Sequence, residues 1–258
     1  MSARIHDGTR RSALAAFAVL LLLVAAAPGG AQIPDEFTNL QVLPKDIGKG
    51  QLVSTMRGFA SALGVRCIHC HVGDDPNDLA GVDFVSDERQ AKKTARVMVQ
   101  MVEQINGELL PRIGKESPRQ VSCVTCHRRL SRPETVTDVL MKAIDESGVE
   151  DALEQYRQLR DEYYGQGVYD FSPRPLNRTA ETLARQRQDL DGALTVMRLS
   201  VELHPEDAYT QLMLGQLLAQ NSDPAGARAA IERSLAIEPD NPWARRLLES
   251  VSEAAAEE

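Results

Sequence analysis

The chain has 258 residues, 43% of them hydrophobic and 26% charged, with 13 Pro and 17 Gly. That length and balance exclude a disulfide-stapled miniprotein, a fibrous repeat and a disordered tail, and point to about two domains. Aromatic residues make up only 4%, and the formal net charge of −8 leaves no basic stripe able to track nucleic-acid phosphates.

Residues 1–31 read as a secretory signal peptide. Arg4, Arg10 and Arg11 precede an apolar run from Ala13 to Ala27, and the small residues Gly29, Gly30 and Ala31 follow, with cleavage expected after Ala31. The run is short for a membrane span of about 20 residues, so the mature chain is expected to lack a transmembrane span and to work in the periplasm or outside the cell. Retention of the segment as an anchor stays open. Residues 32–133 hold all four Cys and carry a net charge of about +2, whereas 134–258 are Cys-free, rich in Ala, Leu, Glu and Arg, and carry about −12. The expected division is a Cys-bearing domain over 32–133 and a helical domain over 134–258, giving a mostly α chain.

In the first of these, Leu52, Met56, Phe59, Ala60 and Leu63 recur at helical spacing and Gly64 supplies a stop. That helix runs into Cys67-Ile68-His69-Cys70-His71. A second helix is expected from an N-cap at Ser86, with Asp87 and Glu88 in its first turn, and with Ala91, Ala95, Met98, Val102, Ile105 and Leu109 as its buried stripe. Further on stands Cys123-Val124-Thr125-Cys126-His127.

Both are the C-x-x-C-H pattern of c-type haem attachment. Two intervening residues set both thiols along one face of a turn, where they can add to the two vinyl groups of haem, and the following His turns its imidazole toward the iron. A zinc site, a dithiol redox motif and two disulfides also use paired Cys, but none needs a His directly after both pairs. Two macrocycles would also provide the bulk that the low aromatic content withholds. After residue 31 the chain has four His, namely His69, His71, His127 and His204. They are too few for two bis-histidine irons, so Met is the expected sixth ligand. Met56 lies on the apolar face of the first helix. Met98 lies mid-stripe on the second, with Met101, which shares a flank with Val97 and Gln104, as its alternative.

The stretch from Phe37 to Pro133 resembles the photosynthetic reaction centre cytochrome c subunit family. The resemblance rests on Ser54-Thr55-Met56, Cys67 to His71, Ala95-Arg96-Val97-Met98, Ile105-Asn106 and Val121-Ser122-Cys123-Val124-Thr125-Cys126-His127-Arg128. It implies Met56 and Met98 as distal ligands, His71 and His127 as proximal ligands, and Cys67, Cys70, Cys123 and Cys126 as the attachment points of two haem c groups. The photosynthetic subunit has four such units where this chain has two, and the Gly usual after C-x-x-C-H-R is Arg129 here. Arg128 and Arg129 either pair with propionates of the second haem or stand as solvated charge.

The rear half repeats. Leu214, Gly215, Leu218, Ala227, Ile231, Ser234 and Pro239 occupy tetratricopeptide positions in a 34-residue frame starting at Ala208, and Ala193, Met197, Ser200 and Pro205 recur one frame earlier. An earlier helix pair spans Thr137 to Tyr164, an insertion covers Gly165 to Arg174, and a capping helix starts at Pro242. The expected concave face carries Asn177, Glu181, Arg185, Gln211 and Gln216, polar residues free to dock a protein, and the acidic domain favours a basic partner. His204 is expected on the surface at a helix end, and Tyr163, Tyr164 and Tyr169 as packing around the insertion.

Met/His ligation closes both coordination sites and leaves outer-sphere electron transfer between a protein donor and acceptor as the chemistry. The expected function is therefore an exported dihaem electron carrier whose repeats dock a partner or self-associate, and not an enzyme. The alternatives are a structural subunit of an extracellular haem filament and a peroxidase-type enzyme.

Overall fold

The described part of the computed structural model comprises residues 33–79, 81–113 and 120–254, so the signal segment read over 1–31 lies outside it. The chain is mostly α. It divides into two compact units, Met1–Thr125 and Cys126–Glu258.

In the first unit α1 (Lys49–Leu63) ends where expected, because Gly64 takes φ of 67°. Its left-handed backbone costs glycine nothing and turns the chain toward the first Cys pair. The second helix, α2 (Gln90–Gln104), starts later than Ser86. The Ser86 hydroxyl accepts only the Glu88 N–H, and the Asp87 carboxylate is drawn away by the Arg96 guanidinium at 2.9 and 2.7 Å and by the Asn39 amide at 2.9 Å. A charge-assisted bidentate pair outcompetes a neutral cap. Lys92 donates to the carbonyls of Phe84, Val85 and Ser86 at 2.8 to 3.0 Å, so α2 itself staples the preceding loop. A π-type turn (Ile105–Leu109) and a 3₁₀ turn (Leu110–Ile113) extend α2.

The short α3 (Cys123–His127) leads in the second unit to α4 (Val136–Ser147) and α5 (Val149–Tyr163). Thr135 and Asp138 form a full capping box on α4. Four more helices follow as antiparallel pairs, α6 (Pro173–Gln186) with α7 (Leu190–Leu203) and α8 (Ala208–Gln220) with α9 (Pro224–Ile237), and α10 (Pro242–Ala254) covers the last pair. The insertion is shorter than expected: Arg174 is already helical, since Pro173 and Pro175 sit in the first turn, where a missing N–H costs no bond.

Small residues govern the stacking. Ala193, Met197, Ser200, Ala227, Ile231 and Ser234 have no exposed surface. A Cβ on Gly215 would stand 2.6 Å from Ile231 Cγ1 and 3.1 Å from the Ala227 carbonyl, so α8 and α9 approach closer than any side chain there allows. The Ser234 hydroxyl donates to the Ala208 carbonyl at 2.8 Å, which satisfies a buried polar atom. Gly215→Val is expected to destabilise the rear unit by roughly 1–3 kcal/mol through overpacking, read as a lower midpoint in denaturant unfolding followed by far-UV circular dichroism.

Candidate functional site

Each C-x-x-C-H folds as one turn. In the first, Cys67–His69 is 3₁₀, and the Cys67 carbonyl accepts the N–H groups of Cys70 at 3.2 Å and His71 at 3.0 Å. In the second, Cys123 to His127 is α-helical. All four cysteines are free thiols, so neither pair is bridged. No group of three or more His, Cys, Asp or Glu side chains suited to a metal ion converges among the described residues.

The His71 ring meets Phe84 edge-on, centroids 5.0 Å apart, and Phe84 lies in the loop held by Lys92. Burial, then the Lys92 charge, pushes the His71 pKa down, and burial pushes the Cys70 thiol up. The imidazole is thus held neutral at pH 7, the form that ligates a metal. Its Nδ1 is buried without a hydrogen-bond partner.

The second histidine has its partner. His127 Nδ1 lies 2.8 Å from the Leu130 carbonyl, which fixes Nδ1 as the protonated nitrogen and leaves Nε2 as a free lone pair. That carbonyl is brought back by a tight turn in which the Leu130 N–H donates to the His127 carbonyl at 2.8 Å. Its two central residues, Arg128 and Arg129, take φ of 49° and 72°. Left-handed backbone costs a side-chain-bearing residue about 1–2 kcal/mol, which explains physically why Gly is usual at the position of Arg129.

Asn106 is the residue whose role the pattern of the sequence did not disclose. Its side-chain amide donates to the Val121 carbonyl and accepts the Val121 N–H, both at 2.8 Å, and so ties the end of the Met-bearing helix to the residue two before Cys123. An Asn matching a backbone amide in both directions leaves no periodic signal to find.

The methionines are less sharply placed. Met56 is half-buried on α1. On α2 no residue is fully buried, and Met98 and Met101 are 39% and 43% exposed. The expected buried stripe is corrected to a half-buried face, because the unit brings few side chains to cover it: Leu52 and Ala62 are its buried apolar residues among those described. A site built this way fits a large apolar group held by two thiols and an imidazole, and each turn presents that donor set.

In the second unit Asn177 and Gln211 are buried rather than free on the concave face. Asn177 donates to Thr210 Oγ1 and accepts from Ser200 Oγ, both at 2.8 Å, and Gln211 donates to the Pro205 carbonyl at 3.1 Å. Glu181 and Arg185 pair at 3.1 Å in a hollow of about 930 Å³ that Arg174 and Arg178 also line, so the hollow is not acidic like the domain as a whole. His204 caps α7 but is half-buried, with Nε2 enclosed and unpaired, and burial lowers its pKa. Tyr163 and Tyr169 pack edge-on at 5.5 Å.

Residues 6–162 match the model of the photosynthetic reaction centre cytochrome C subunit. The chain belongs to this family. Membership makes covalently bound haem c its cofactor. A curated relative, cytochrome c-554 of Chloroflexus aurantiacus, is 33% identical over 90 residues, which cover 34% of this chain and 20% of the relative. The chain thus spans about a fifth of that relative's length. Solved structures similar to it include the first tetratricopeptide domain of Spaghetti (RPAP3) bound to an HSP90 peptide, at 20% identity, TM-score 0.34 and coverage of 47% of this chain and 93% of that one. The Sgt2 tetratricopeptide domain of Aspergillus fumigatus is similar at 18% identity, TM-score 0.34 and coverage of 47% and 78%.

Two outcomes follow from the site. Arg129→Gly is expected to raise stability by roughly 0.5–1 kcal/mol, the relieved strain less the added unfolded-state entropy, and to leave haem content unchanged. Asn106→Ala is expected to cost about 1–3 kcal/mol by orphaning the Val121 amide groups, and to broaden the absorption band of the ligated iron, as read by thermal unfolding and visible spectra.

Proposed function

We propose that the mature chain is an exported dihaem c-type cytochrome that passes electrons one at a time between protein partners, with its repeats serving to dock or to self-associate. The observation that carries the reading is that the duplicated C-x-x-C-H folds twice as a single turn, with thiols free and the imidazole of the second turn oriented through Nδ1. Haem c held there supplies reversible one-electron Fe(III)/Fe(II) chemistry.

Cys67 and Cys70, and likewise Cys123 and Cys126, hold the macrocycles covalently. His71 and His127 supply the proximal nitrogen. Met56 on α1 and Met98 on α2 supply the distal sulfur, with Met101 one turn on as the alternative to Met98. A thioether prefers the less charged iron, and a closed coordination sphere excludes substrate, so this ligand set favours transfer over peroxidase chemistry. Among the described residues no helix is long and apolar enough to cross a membrane.

Intact mass and haem staining of the exported protein are expected to give two haems per chain and a mass lacking residues 1–31. A chain with no haem would sink the reading. In a potentiometric titration Met98→Leu is expected to lower one of two potentials and remove one thioether–iron signature, while Met101→Leu leaves both. The reverse result would assign the second distal ligand to Met101. Electron microscopy of the same sample separates a discrete carrier from a filament.

A further inference from the structure

The second unit contains a hollow of about 650 Å³ whose lining includes Cys126 and His127, Tyr169, and Arg174 and Arg178 of α6. This volume lies in the range of ligand and cofactor sites. Arg174 and Arg178 are four residues apart on one helix and so project from the same face. The first turn of α6 is held against α4 by the Thr137 hydroxyl, which donates to the Pro175 carbonyl at 3.5 Å, and α4 begins nine residues after His127.

The acids around the hollow are used locally, whereas the two arginines are not. Asp138 accepts from the Thr135 hydroxyl at 2.6 Å and its N–H at 3.1 Å as the cap of α4, Asp170 accepts the Ser172 N–H at 2.9 Å, and Glu134 faces Arg132 at 3.7 Å. The structure gives the guanidinium groups of Arg174 and Arg178 neither a hydrogen bond nor an ion pair among the described residues, although Asp138 feels the Arg178 charge. Two planar guanidiniums on one helix face, lining the same hollow as a haem-attachment turn, match a pair of carboxylates in charge and geometry. A haem bound through Cys126 and His127 has such a pair in its propionates.

Resting on the haem reading above, we propose that Arg174 and Arg178 of the repeat domain are positioning residues for the second haem, holding its propionates. The repeats are then part of a redox site as well as a docking module. A cation beside the propionates offsets their negative charge and favours the reduced iron, so losing it lowers the potential.

The test is potentiometric titration of the full-length exported protein, with the second haem's potential assigned as the one absent from the Cys123→Ala/Cys126→Ala variant. Arg174→Gln/Arg178→Gln is expected to lower that potential alone, by about a tenfold change in the oxidised-to-reduced ratio at fixed solution potential, or about 59 mV for one electron. Arg174→Lys/Arg178→Lys should restore most of it. Arg185→Gln, on the same helix but lining only the other hollow, should leave both potentials in place. Unchanged potentials in the glutamine variant, with two haems by intact mass and wild-type helicity, would overturn the clamp and keep the dihaem reading. A wild-type mass lacking the second haem would overturn both.

Discussion

The hydrogen bond from His127 Nδ1 to the Leu130 carbonyl is the contact on which the orientation of the second C-x-x-C-H imidazole depends. It decides which nitrogen carries the proton, and hence that Nε2 is the one left with a free lone pair. It exists only because the chain reverses within two residues, and the reversal needs positive φ at Arg128 and Arg129. The backbone there is strained so that a ring can be held. At His71 the same task falls to packing, with Phe84 against the ring and Lys92 fastening the Phe84 loop by three carbonyls. Two attachment turns of one sequence pattern are therefore oriented by different forces, a backbone hydrogen bond in one and an aromatic contact under a charged staple in the other.

The two units also differ in what holds them. The rear unit is an ordinary burial problem: Leu140, Leu176, Leu183, Val196, Met197 and Ile231 have no exposed surface, and Ala and Gly at the crossings let helices come close enough to enclose them. Its buried polar atoms are largely paired within the repeat, as in the Asn177, Ser200 and Thr210 chain. The front unit instead spends its polar contacts on fastening loops, through Asp87 with Arg96, Lys92, and Asn106 with Val121. The Arg96 guanidinium holds the Asp87 carboxyl well below the usual range, so this fastening persists through ordinary acidic conditions and is lost only when that carboxyl is protonated.

Elements with period and punctuation were legible in the sequence. Gly64 ended α1 as expected, both C-x-x-C-H segments formed single turns, and the small residues of the repeat frame fell at helix crossings. The misread features were decided by competition between partners. Ser86 lost its cap because Asp87 found Arg96 and Asn39, a pairing 48 residues apart in the chain for Asn39. Asn177 and Gln211 looked free because they are polar, yet a repeat can bury an amide when the next helix offers a hydroxyl or a carbonyl. The choice between Met98 and Met101 was not sharpened by burial, since a helix with few covering side chains exposes both alike.

Charge shows the same limit of reasoning by totals. The rear half is strongly acidic, so a basic partner follows from its sum, but two hollows among its described residues are lined by arginine. Arg174 and Arg178 line the two at once, the smaller with the attachment turn and the larger with Glu181 and Arg185. A charge brought into either hollow acts on the same two guanidiniums, and through them on the other hollow. A protein that docks an acidic side chain in the larger hollow would therefore draw these arginines away from the smaller one, and the field at His127 would change with it. Under the proposed clamp, partner recognition and the potential of the second haem would be coupled, because the same two side chains line both hollows.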